Sequence, residues 1–144
     1  MATAMRLLLC EYASVHADGT CSIVRGGLES LTPGLLPVAL APWLFLELRL
    51  ESLPRRREHM VRVQVHAPSG LLTEQTHPFT LARVDDPRGT VRFAMVLGLE
   101  IQERGAHTIR ATVDGGPTGE LVLLIGATPA QAAAEQTGAL RVAN

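Results

Sequence analysis

Trp43-Leu44-Phe45-Leu46-Glu47-Leu48-Arg49-Leu50 alternates without a break: Leu44, Leu46, Leu48 and Leu50 point one way, and Trp43, Phe45, Glu47 and Arg49 the other. Successive side chains of an extended backbone face opposite sides, so a period of two over eight residues reads as a β-strand with its leucines against a core. A polar turn follows, Ser52 to Glu58, holding Pro54 and Arg55-Arg56-Arg57. Beyond it Val61, Val63 and Val65 alternate with Arg62, Gln64 and His66, and the spacing predicts a hairpin over residues 43–66.

Toward the C-terminus, Pro68-Ser69-Gly70 turns into a weaker strand over 71–81, which Pro78 marks as a sheet edge because proline cannot donate to a ladder. After an Asp85–Gly89 turn, Val91, Phe93, Met95, Leu97 and Leu99 share one face. Ile109, Ala111 and Val113 form the next inner face, Asp114-Gly115-Gly116 turns the chain, and Leu121, Leu123 and Ile125 close the set. Toward the N-terminus, residues 5–15 and 20–25 flank His16-Ala17-Asp18-Gly19, where Asp-Gly suits a tight hairpin. A turn centred on Ala17 and Asp18 sets Cys10 opposite Arg25 and Cys21 opposite Ser14, too far apart for a disulfide. The stretch 28–42, with Pro33, Pro37 and Pro42, reads as a long connection crossing between sheets.

Seven or eight strands with turns at this spacing predict an all-β, antiparallel sandwich. Residues 1–4 are expected to be a flexible start, 5–126 the sandwich, and 127–144 a tail. In that tail Thr128-Pro129-Ala130-Gln131 has the capping residue, first-turn proline and capping-box glutamine of a short helix over 130–136. So short a helix is marginal alone, so the tail is expected to be a short helix or disordered.

At 144 residues the chain suits one domain, burying about two-thirds of its unfolded surface without staples. The net charge of −1 offers no global field for nucleic acid or an anionic membrane. Leu7-Leu8-Leu9-Cys10 lacks the small residue and the longer apolar run of a processed leader, and no stretch approaches the roughly 20 apolar residues of a membrane helix. The expected location is therefore the cytoplasm. Charged residues are only 19% against 47% hydrophobic, and the mean hydropathy is +0.19, which suggests apolar surface covered by a partner.

No serine sits in a nucleophile-elbow context, and His16, His59, His66, His77 and His107 are scattered without a nucleophile signature beside them, so no enzyme is expected. The same histidines lack a pair at ligand spacing, and two cysteines without C-x-x-C do not suggest zinc. Asp18, Asp85, Asp86 and Asp114 all fall in turns; they read as turn formers before they read as calcium ligands, and no cofactor is expected. Arg55-Arg56-Arg57 has no aromatic neighbours for stacking on nucleic acid and reads as a solvated loop.

Taken together, Leu7-Leu8-Leu9-Cys10-Glu11-Tyr12-Ala13, the Asp18-Gly19 turn, Ser22-Ile23-Val24-Arg25-Gly26-Gly27 and Gly105-Ala106-His107-Thr108-Ile109-Arg110-Ala111-Thr112-Val113-Asp114-Gly115 resemble an uncharacterised bacterial family of small proteins, over about residues 5–126. The last segment is similar to the Gly-x-Tyr-x-Phe-x-Val-x-Val-Asp-Gly strand of many bacterial immunoglobulin-like modules, with His107 where tyrosine is usual. The resemblance implies an immunoglobulin-like sandwich. It carries no activity and no functional residue.

The anomaly lies on the faces that should be polar. Trp43 and Phe45 oppose the leucine face, Ala94, Val96 and Gly98 oppose Phe93, and Val122 and Leu124 oppose Leu121. One-sided antiparallel strands normally alternate with polar residues. Either the proline-rich connection or the tail covers these residues, or they form a surface for self-assembly or for docking another protein. On the second reading Trp43, Phe45, Val96, Val122 and Leu124 are the expected interface, with Trp43 and Phe45 as anchors. The alternative is a sandwich binding a small ligand or carbohydrate through Trp43, Tyr12 or the loop aspartates.

Overall fold

Leucine and valine alternations become the inner faces of two sheets. The computed structural model describes residues 5–81, 83–85 and 89–126; the tail 127–144 and its expected helix lie outside the described residues. The strands are β1 (Arg6–Cys10), β2 (Tyr12–Val15), β3 (Cys21–Val24), β4 (Ser30–Leu31), β5 (Val38–Leu40), β6 (Trp43–Arg49), β7 (Glu58–Ala67), β8 (Gly70–Thr80), β9 (Thr90–Val96), β10 (Leu99–Ile101), β11 (Gly105–Val113) and β12 (Thr118–Ile125). A three-stranded sheet, β1-β6-β9, faces a five-stranded one, β4-β12-β11-β7-β8, with two-stranded ribbons β2-β3 and β5-β10 beside them. All the pairings are antiparallel except β4 along β12. The chain is thus all-β and fits a sandwich.

Leu44, Leu46 and Leu48 of β6 and Val91 and Met95 of β9 meet Val61, Val63 and Val65 of β7 and Ile109, Ala111 and Val113 of β11 in one core. Each inner face is the one the alternation predicts. Leu50, expected inward, is only half-buried because the strand ends at Arg49 and a 3-10 turn, Leu50–Ser52, begins.

The expected hairpin over residues 43–66 does not form. β6 pairs with β1 and β9, β7 pairs with β8 and β11, and the turn between them crosses from one sheet to the other. Alternation reports which face of a strand is apolar; it does not report which strand lies alongside. Leu53, buried in the crossing, joins the core and fixes the chain where it passes over the end of the sandwich.

Among the described residues there are twelve strand segments where seven or eight strands were expected. The stretch 5–15 breaks at Glu11, so β1 and β2 belong to different sheets. Residues 90–100 divide into β9 and β10, and the proline-rich connection supplies the short β4 and β5. The first turn also differs by one residue from expectation. Its loop is Ala17-Asp18-Gly19, with the His16 N–H bonded to the Thr20 carbonyl at 2.8 Å and Gly19 at φ 87°. Three loop residues, the last in the left-handed region, move the register by one, so Cys21 lies opposite Val15 and not Ser14. Cys10 lies opposite Trp43 and not Arg25. Both cysteines are free.

β8 is an edge strand, as Pro78 implies, although it runs straight through that residue. The reason is directional. The Met60 carbonyl accepts from the Asp114 N–H, so the backbone groups of Met60 point to β11; its partner Pro78 therefore has its nitrogen turned away from β7, toward the open edge. A missing donor costs nothing in the ladder there, and it blocks another strand from pairing with this edge.

Candidate interaction face

The outer face of the three-stranded sheet is ordered by cross-strand register into rows: Arg6, Glu47 and Arg92; then Leu8, Phe45 and Ala94; then Cys10, Trp43 and Val96. The first row is charged and the other two are largely apolar. The β2-β3 hairpin folds back over them. Its Ala13 is buried with Cys10 and Phe45, and Leu8, Cys21, Trp43 and Ala94 pack around that group. In the return from the hairpin a Cβ at Gly26 would lie 2.9 Å from side-chain carbons of Leu8 and Ile23, so a larger residue there requires those side chains to move.

Arg92 pins the hairpin tip. Its Nε donates to Glu47 Oε2 at 2.8 Å and its Nη1 to the Gly19 carbonyl at 2.7 Å. Within the tip, Asp18 accepts from the Thr20 hydroxyl and backbone N–H, and these bonds hold its carboxyl below the usual range. Burial under the hairpin pushes the Cys10 thiol up, so it remains protonated and donates to the Trp43 carbonyl at 3.4 Å.

Phe45 is therefore not an accessible anchor: the hairpin covers it, leaving it 7% exposed. The cover is the hairpin and not the proline-rich connection, and nothing local in the sequence announces a hairpin doubling back on its own sheet. What stays open is a continuous strip at the hairpin root. Val24 pairs with Tyr12, the Tyr12 ring meets Trp43 edge-on at 5.2 Å between centroids, and Trp43 pairs with Val96. Val24, Tyr12 and Val96 are 46%, 45% and 46% exposed, and Trp43 is half-buried. A groove of about 270 Å³ runs beside the strip between β2 and β9, with Tyr12, Ser14, Trp43 and Phe93 in its walls.

Val122 and Leu124 are exposed but lie on β12, on the outer face of the five-stranded sheet. There they neighbour Ala106 and Thr108, with exposed Leu71 farther along the Val122 row opposite His66. The five expected interface residues thus divide between two faces. Tyr12, by sequence a candidate for ligand binding, joins the exposed strip through its ring contact with Trp43.

Buried polar side chains also meet at the start of β7. His59, at the start of β7, places Nδ1 2.6 Å from Asp114 Oδ2 and Nε2 2.8 Å from the Arg56 carbonyl. Asp114 Oδ1 accepts from the Met60 N–H at 2.9 Å and lies 3.4 Å from Arg56 Nη2. Both ring nitrogens face oxygens within hydrogen-bond distance. Burial opposes ionisation of Asp114, but the His59 and Met60 hydrogen bonds and the charges of His59 and Arg56 outweigh it and hold its carboxyl low. With both nitrogens committed and the ring stacked on Phe79, the pair latches the crossing loop to the β11–β12 turn.

His107, where the resemblance expects tyrosine, is buried too, but Nδ1 reaches only the Gly105 carbonyl and Nε2 has no partner. A buried unsatisfied acceptor costs about 1–3 kcal/mol, and apolar replacement removes that cost. His107→Leu is expected to hold or raise Tm, whereas His59→Leu strands the Asp114 carboxylate and lowers it by 4 °C or more, roughly 1 kcal/mol or more. Calorimetry on the two variants checks the contrast; equal losses would refute it.

Among the described residues no group of three histidine, cysteine, aspartate or glutamate side chains is placed to hold a metal ion. No helix among them is long and apolar enough to cross a membrane. Compared with known proteins, the chain matches no family model and no curated sequence.

Proposed function

We propose that this chain is a non-enzymatic, immunoglobulin-like sandwich that works as a self-assembly module, pairing with a second copy through the strip Val24-Tyr12-Trp43-Val96. The observation that carries the reading is the strip itself: two aromatic rings in contact, flanked by valines nearly half exposed. Tyrosine and tryptophan supply large contact area at small entropic cost and concentrate binding energy where they are packed and desolvated. The low charged fraction of 19% agrees with a surface covered by a partner. For the fold, β1-β6-β9 facing β12-β11-β7-β8 matches the neighbour order of A-B-E against G-F-C-C′ in immunoglobulin domains and supports the resemblance.

Light scattering tests the assembly. The full chain is expected to be a defined oligomer at about 100 μM, and Val24→Arg with Val96→Arg is expected to weaken association about 100-fold or more while the monomer stays folded by circular dichroism. Val122→Arg with Leu124→Arg, on the opposite sheet, is expected to leave the mass as it was. A monomeric wild type, or loss of assembly only in the β12 variant, would overturn the assignment of this face.

A further inference from the structure

β8 and β9 are edge strands of the two sheets, and between them, beneath the hairpin tip, lies a cavity of about 250 Å³. Phe79 and Phe93 meet there at 5.3 Å between centroids, one from each sheet, and with Val15 and Leu81 they give the cavity an apolar wall. The polar part of the lining is cationic or neutral: His16, Arg83 and Arg92, with Thr80 and Thr90. No carboxylate lines it among the described residues.

We propose that this cavity binds a small organic anion, a carboxylate carried on a single apolar ring or a branched aliphatic body. Three features support that ligand class. Arg92 is held in place by Glu47 and the Gly19 carbonyl, which use two of its N–H groups; a guanidinium has five, so a fixed fork retains donors for an incoming carboxylate. Arg83 is paired only across 3.6 Å to Asp85, both well exposed, and such a pair exchanges its partner at little cost. The volume lies below the roughly 300–1,000 Å³ of sites for drug-sized ligands, so a single ring fits and a nucleotide does not. Apolar wall and cationic rim select together: the body excludes bare inorganic anions, and the charge excludes neutral rings.

The test uses the full chain with benzoate as probe and benzamide as its uncharged counterpart, followed by amide chemical shifts. Benzoate is expected to give saturable shifts at Thr80, Arg83, Thr90 and Phe93 with a Kd on the order of 1 mM. Benzamide is expected to bind at least about tenfold more weakly, and Arg83→Gln to weaken benzoate by about tenfold. Shifts that stay linear to about 10 mM, equal responses to the two probes, or an unchanged affinity in Arg83→Gln would each overturn the site. The Val24→Arg, Val96→Arg variant is expected to bind benzoate as the wild type does, so failure of the assembly face and failure of this cavity are separable.

Discussion

Asp114→Ala is expected to cost about 3–5 kcal/mol in urea denaturation, a large part of the stability of a domain this size. His59 and Asp114 side chains are 0% and 5% exposed, so removing the carboxylate leaves a buried donor facing nothing, and the Met60 N–H loses its acceptor as well. Alanine also fits poorly at φ 54°, a left-handed conformation that aspartate and asparagine tolerate. Asp114→Asn separates these contributions: it keeps an oxygen for Met60 and the backbone preference, gives up the charge, and is expected to lose less than half as much. The pH dependence follows from the depressed carboxyl. Because its folded pKa lies below the unfolded value of about 3.9, ionised Asp114 stabilises the fold above that value, and the stabilisation is lost as pH falls through the folded pKa. Between about pH 5 and pH 2, Asp114→Asn is accordingly expected to show a shallower loss of Tm than wild type. A cost under about 1 kcal/mol for Asp114→Ala would mean that the latch contributes nothing.

Phe45→Ala is expected to free the hairpin from the sheet at a cost of about 3 kcal/mol. Phe45 is the central side chain beneath β2 and β3, and its removal leaves Cys10, Ala13 and Ala94 around a void too large for small neighbours to fill. The hairpin would then be held at its tip by Arg92 and at its root by Tyr12 on Trp43. The readout is chemical as well as thermodynamic. Cys10 is fully buried in the wild type, so its labelling by a thiol reagent reports hairpin opening, and Phe45→Ala is expected to accelerate it by about 100-fold for each 2.7 kcal/mol of docking energy lost. A variant whose Cys10 stays as protected as before would show that the hairpin is held elsewhere. The same experiment bears on the assembly face, because Trp43 contributes both to the covered cluster and to the open strip.

Local periodicity made the core legible. Leu44, Leu46 and Leu48, Val61, Val63 and Val65, and Ile109, Ala111 and Val113 are inward because a strand's side chains alternate whatever it pairs with. Pro78 announced an edge for an equally local reason, its missing donor. Turns were legible in position and not in length: Asp18-Gly19 marks a reversal, but whether the loop is Ala17-Asp18 alone or runs on through Gly19 shifts every partner by one.

The strip of candidate residues was half legible, since Trp43 and Val96 break the polar alternation, whereas Tyr12 joins them only through a ring contact between β2 and β6. His59 and Asp114 stand 55 residues apart, and no spacing rule connects a residue at the start of one strand to a turn after another. By itself, then, the sequence determined which residues are extended and which of their faces are apolar, because these depend on backbone geometry over two residues. Which strands lie side by side, which apolar face the hairpin covers and which is left open were decided by the tertiary structure, because each depends on contacts between segments far apart in the chain, where competing pairings leave the same local pattern.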